Sequence, residues 1–325
     1  MKKIGLTTTV PVEIIFAAGM IPIDLNNIFI THPESSKLVE QAELAGYPRN
    51  LCGWIKGLYS TILAEEDIDT LIAVTQGDCS NTHALMETLQ LKGIKTIPFS
   101  YPFDRDKELL ELQIDKLIKI LGTTWEKTQQ KKEELDRIRS KVHYLDQLTW
   151  QENLVSGFEN HLYQVSCSDL GGDIREFNRE LDNILEEVQG RKPYQEEVRL
   201  GFMGVPPIIT DFYQYIEELG GRVVFNEVQR QFSMPYGVAD LVEQYRRFTY
   251  PYDIFGRIED VQTEIKKRNI HGLIHYTQSF CFRQIEDLII RQKIDIPILT
   301  LEGDRPGLLD ARSKIRLESF LELFK

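Results

Sequence analysis

Three of the four cysteines in this 325-residue chain occupy related positions. Leu71 to Cys79 reads LIAVTQGDC and Leu273 to Cys281 reads LIHYTQSFC. In both, an apolar strand-like run ends in Thr-Gln, two residues follow, and a cysteine heads an amphipathic helix; the offset between the copies is 202 residues. The third, Cys52, lies in YPRNLCG (Tyr47 to Gly53), which aligns with YPYDIFG (Tyr250 to Gly256) and so pairs Cys52 with Phe255. A two-fold arrangement with four equivalent positions then holds three thiols and a phenyl ring.

Thiolates are soft ligands that favour zinc or iron–sulfur sites. A closed zinc site wants four ligands, usually two of them a few residues apart, and the chain has no C-x-x-C. A [4Fe–4S] cluster takes thiolates from distant segments, and three of them, Cys52, Cys79 and Cys281, leave one iron free for a substrate, water or sulfide. Each of the three is expected at a helix N-terminus, which lowers a thiol pKa and offers amide donors to an anionic cluster. Burial as a small apolar residue is the ordinary fate of a lone cysteine, and the repeat argues against it here. Cys167, in LYQVSCSDLGG, falls outside the repeat and reads as structural, with a fourth ligand as the lesser alternative.

Gln76 and Gln278 stand three residues before the repeated cysteines, where an amide donates either to cluster sulfide or substrate, or to the backbone of its own loop. Thr75 and Thr277 read as structural, and Asp78 or Ser80 as helix caps. Glu302, Asp304 and Arg305 follow a strand end on the ligand edge, where they place or protonate a substrate or simply close the sheet. His275, a lone histidine in a strand, reads as packed. The chain contains neither a P-loop nor G-x-G-x-x-G, so nothing supports a bound nucleotide.

The elements that position these residues alternate strand and helix. Strands are expected at 3–9, 21–25, 69–74 and 94–99, with helices from Pro11, over 35–45, over 53–64 and over 81–91. Residues 104–190 turn helical, and strand character resumes at Val198, with Pro206-Pro207 opening the next helix. Ile4 to Pro11 parallels Leu200 to Pro206, and Ile97-Pro98 parallels Ile296-Pro297 after a helix three residues shorter. The expected fold is therefore α/β: two similar doubly wound parallel-sheet domains, 1–103 and 196–325, related by a pseudo-two-fold axis and joined by a helical layer, 104–195. A formal charge of −12 argues against nucleic acid or an anionic membrane surface. No apolar run approaches the ~20 residues of a membrane span, and the expected location is the cytoplasm.

Several patches, in order along the chain, carry a resemblance. They are PVEIIFAAGMIPIDL from Pro11, GDC at Gly77 to Cys79, GGRVV at Gly220 to Val224, Phe280-Cys281, LEGD at Leu301 to Asp304 and RLESFLELF from Arg316. Together they resemble the iron–sulfur subunit family of 2-hydroxyacyl-CoA dehydratases and benzoyl-CoA reductases, which includes double-cubane cluster proteins. The resemblance implies two facing α/β domains with a [4Fe–4S] cluster on Cys52, Cys79 and Cys281. It also implies an ATP-dependent iron–sulfur activator protein that injects one electron, a ketyl radical made from an acyl thioester, and pairing as a homodimer or with a related second subunit. A double-cubane cluster would need more thiolates than these three. Two other functions fit the residues: a low-potential electron-transfer subunit, and a metal-free module binding a small molecule in its interdomain cleft.

Overall fold

The computed structural model describes residues 1–195 and 198–325. Runs that are apolar at consecutive positions become strands buried on both faces, as parallel sheets require. In the first half β1 (Lys3–Leu6), α1 (Val12–Ala17), β2 (Ile21–Asp24), α2 (Leu25–Thr31), α3 (Ser35–Leu44), α4 (Gly53–Ala64), β3 (Thr70–Gln76), α5 (Asn81–Gln90) and β4 (Lys95–Ser100) follow one another. The connecting helices are α6 (Lys107–Leu121), α7 (Trp125–Trp150), α8 (Gly157–Ser166) and α9 (Ile174–Val188). Their starts are written in the sequence: the side chains of Asp106, Thr124, Ser156 and Asp173 each accept a first-turn backbone N–H. The second half comprises β5 (Val198–Gly204), α10 (Phe212–Glu218), β6 (Gly221–Asn226), α11 (Glu227–Phe232), α12 (Leu241–Arg247), α13 (Ile254–Arg268), β7 (Gly272–Thr277), α14 (Arg283–Lys293), β8 (Ile298–Glu302) and α15 (Ala311–Glu322).

Both sheets are parallel, with the same order: β2-β1-β3-β4 and β6-β5-β7-β8. Gly5 faces Leu71 as Gly201 faces Leu273, so the two α/β domains share register as well as topology. That register corrects one sequence parallel. Ile72 faces Ile97 and Ile274 faces Leu299, which carries the 202-residue offset through the last strands and matches Ile97 with Leu299 rather than Ile296. A second correction concerns Pro206-Pro207. The residue before a proline is driven out of the helical region, and α10 starts only after Asp211, once Thr210 N–H has donated to the Gly307 carbonyl at 2.9 Å.

The two halves exchange helices. Phe29 of α2 with Leu38 and Val39 of α3 joins the core beneath β5 and β7, while Val228 and Phe232 of α11 with Leu241 and Tyr245 of α12 join the core beneath β1 and β3. Each pair follows the equivalent strand, so neither domain buries its own sheet alone. A buried ion pair fastens this exchange: Arg139 of α7 donates to Glu13 of α1 at 2.7 Å, and Glu13 also accepts from Tyr245 at 2.8 Å. Among the described residues no helix is long and apolar enough to cross a membrane.

Candidate functional site

The carboxyl ends of β1, β3, β5 and β7 face one another, the place where open α/β sheets bind ligands. A cavity of about 110 Å³ opens there, and Cys52, Cys79 and Cys281 all line it. Cys52 is the N-cap of α4. Its loop is pinned by Lys56, a buried lysine that donates to Glu43 at 2.8 Å and to the Arg49 carbonyl at 3.0 Å. Cys79 follows Gly77, whose φ of +98° and closeness to Pro251, 2.7 Å from where a Cβ would sit, demand glycine. Asn81 N–H donates to the Cys79 sulfur at 3.4 Å. Cys281 follows Phe280, which holds a left-handed φ of +57° without being glycine. Asp304 clamps that loop, accepting from Ser279 N at 2.6 Å and Ser279 Oγ at 2.5 Å.

Burial dominates the thiols. It pushes Cys52 up to about 12 and Cys79 up to about 11, and it raises Cys281 despite the Arg283 guanidinium nearby. The expected lowering by helix N-termini is thus outweighed by desolvation in the metal-free protein. Charge on the other two cysteines further opposes ionisation of Cys52, which places all three within electrostatic reach. Among the described residues no three His, Cys, Asp or Glu side chains converge on a single metal ion. The three thiols line one cavity, and the Asn81 amide N–H lies beside the Cys79 sulfur.

The other sequence-selected residues are distributed unevenly. Gln278 is buried on the cavity wall, its Oε1 accepting from Trp54 N at 3.4 Å and its Nε2 donating to Tyr276 Oη at 3.3 Å. Gln76 and Glu302 are exposed at their strand ends and do not line the cavity. Cys167 is buried in the core with Leu135 and Phe177, donating to the Tyr163 carbonyl at 3.4 Å, and does not line the cavity. Phe255 is exposed on α13. Its helix is capped by Asp253, and Gly256 after it packs against Arg105 beyond β4 as Gly53 after Cys52 packs against Asp304 beyond β8. His275 is packed, Nδ1 lying 2.8 Å from Asp287 Oδ1. Ser80 is the N-cap of α5, with no side-chain cap bond.

Sequence reasoning missed the polar bridge beside the thiols. Asp78 is not a helix cap: its Oδ1 accepts from Tyr250 Oη of the other half at 3.1 Å. Arg283, two residues after Cys281, is buried with its guanidinium 4.8 Å from the Tyr250 ring centroid. The contact joins residues 172 positions apart, and no local pattern in the sequence links them. Trp54 also lines the cavity, and its buried Nε1 has no hydrogen-bond partner.

None of the curated proteins matches the chain. The family described as 2-hydroxyglutaryl-CoA dehydratase, D-component, matches residues 7–324. Since that match takes in nearly every element that builds the cavity, the chain belongs to the 2-hydroxyglutaryl-CoA dehydratase D-component family.

Proposed function

We propose that this chain is an iron–sulfur component of 2-hydroxyacyl-CoA dehydratase type, holding a [4Fe–4S] cluster on Cys52, Cys79 and Cys281 and acting on a small acyl thioester. The observation that carries the reading is that all three repeat-related cysteines line one interdomain cavity while Cys167 is a core residue that does not. The residues fit the group: three soft donors, the Asn81 N–H at the Cys79 sulfur and the Arg283 guanidinium together suit a multiply negative cluster. When bound, such a cluster supplies low-potential one-electron chemistry.

The chain's own side chains prepare the cavity for a substrate. Trp54, Val205, Pro206, Phe280 and Phe282 give it apolar walls that exclude water, which strengthens every charge interaction inside. Gln278 ties the Cys281 loop to the start of α4 and carries a polar group at the wall. The unpartnered Trp54 Nε1 is a donor available to a thioester oxygen. The partners in this reading are an ATP-dependent iron–sulfur activator and a second subunit, identical or related. A double-cubane cluster fits less well, since the cavity wall offers no fourth thiol.

The test is spectroscopic. Adding 2-hydroxyglutaryl-CoA to the reduced, cluster-loaded protein is expected to change its electron paramagnetic resonance spectrum. An unchanged spectrum, with thioester binding shown separately, would favour an electron carrier over an enzyme.

A further inference from the structure

Dehydration removes a hydroxyl group and a proton from neighbouring carbons, and the cavity needs a side chain that handles the proton. Asp24, the last residue of β2 and N-cap of α2, lines the cavity and is only 3% exposed. Asp169, in the turn after α8, is 5% exposed and stands directly behind it. Its Oδ2 accepts Asp24 N–H at 2.7 Å and its Oδ1 accepts Gly171 N–H at 2.9 Å. The Asp24 carboxylate accepts from Asn26 N at 3.0 Å, from Asn26 Nδ2 at 2.7 Å and from the Ser168 hydroxyl. Asn27 Nδ2 reaches both Ser168 Oγ at 3.3 Å and Asp169 Oδ1 at 3.5 Å.

With Asp169 Oδ2 on the Asp24 backbone N–H, the two buried carboxyls stand near enough for the charge of one to oppose ionisation of the other. Arg139 of α7, whose charge reaches the nearby Cys167 thiol, is paired with Glu13 at 2.7 Å and Asp136 at 3.3 Å. His161, on α8 and also at the cavity wall, is pushed down to about 4 by desolvation and is neutral. Burial, then the charge of Asp24, push Asp169 up to about 7, and burial raises Asp24 as well. Desolvation of both carboxyls and the repulsion of Asp169 by Asp24 favour a proton on the pair.

Resting on the function proposed above, we infer that Asp24 and Asp169 form a carboxyl dyad that gives a proton to the departing hydroxyl and takes one from the neighbouring carbon. Asp24, at the wall, is the catalytic acid and base; Asp169 is the positioning residue that keeps the proton beside it. The C–O bond breaks with its electron pair on oxygen, and the dyad's proton turns the leaving group into water. The proton lost from the adjacent carbon returns to the dyad. The net change is loss of water, and the dyad ends each turnover as it began.

The test begins on the metal-free full chain, labelled with carboxyl-¹³C aspartate and followed by NMR across pH. One carboxyl signal is expected to titrate near neutrality, and Asp24→Asn is expected to move it toward the ordinary aspartate range. Every aspartate titrating with the surface carboxyls would overturn the dyad. In the cluster-loaded chain with its activator and 2-hydroxyglutaryl-CoA as probe, Asp169→Asn is expected to lower kcat about 10²-fold. KM and iron per chain stay unchanged, the fall in rate above neutral pH disappears, and Asp169→Glu restores part of the rate. A kcat and pH profile equal to those of the parent would also overturn the dyad. Absence of iron in the parent chain defeats the cluster reading alone, because the titration is measured without metal.

Discussion

The backbone of Gly53 packs so closely on Asp304 that a Cβ at residue 53 would meet the Asp304 carbonyl oxygen at 2.6 Å. The same Asp304 clamps Ser279 through its carboxylate. One residue of the second half therefore sets the separation between the turn that carries Cys52 and the loop that carries Cys281. Gly53→Ala is expected to force these apart, costing ~1–3 kcal/mol of stability and most of the bound iron. Urea titration and iron analysis of the variant check both, and a variant that keeps full iron would show that the contact does not set the site.

Phe280 combines a left-handed backbone with 71% exposure on the cavity rim. Phe280→Gly relieves ~1–2 kcal/mol of steric cost but gives the unfolded chain more entropy. Stability is expected to change by under about 1 kcal/mol, while the site loses an apolar shield. The measurement is the rate of iron loss in air beside the thermal midpoint: faster loss at an unchanged midpoint is the expected pattern.

Acid should unfold the exchanged helices first. Burial opposes ionisation of Glu13, but the Arg139 charge and hydrogen bonds outweigh it and hold the carboxyl below its ordinary value. Asp146 is lowered in the same way against burial, by Arg268. A carboxyl lowered on folding contributes stability that is complete above the ordinary carboxylate range and lost as pH falls through its folded pKa. Denaturant midpoints are expected to drop below about pH 4. Glu13→Gln, which leaves the buried Arg139 with only the more exposed Asp136 at 3.3 Å, is expected to cost ~3 kcal/mol at pH 7 and to show a shallower acid limb. An acid limb as steep as the parent's would rule out Glu13 as a contributor.

Cys167 and Cys281 provide an internal contrast. Cys167→Ala removes a core thiol and is expected to cost ~1 kcal/mol with iron content unchanged. Cys281→Ser is expected to lose iron at near-parent stability. The reverse pattern would move the ligand set to the α8 turn.

Much of this arrangement was legible because it is local and repeated. The 202-residue offset marks β3 with α5 and β7 with α14, since each copy carries its own apolar run, turn and helix start. Side-chain caps at Asp106 and Ser156 likewise announce helices from within four residues. What the chain hides is who meets whom across the halves. Nothing near Asp78 specifies Tyr250, 172 positions away, and nothing near Asp24 specifies Asp169. The starts of the two helices differ in kind, since Asp253 accepts two first-turn N–H groups and the Cys52 side chain accepts none. Gln76 looked equivalent to Gln278, but only Gln278 finds a partner in the other half, at Trp54.

The most direct measurement is iron and acid-labile sulfide per chain, with an electron paramagnetic resonance spectrum after dithionite, on protein purified without oxygen. The account predicts about four of each per chain and the signal of a reduced cubane. Bound zinc, or no metal after anaerobic reconstitution with iron and sulfide, would contradict it.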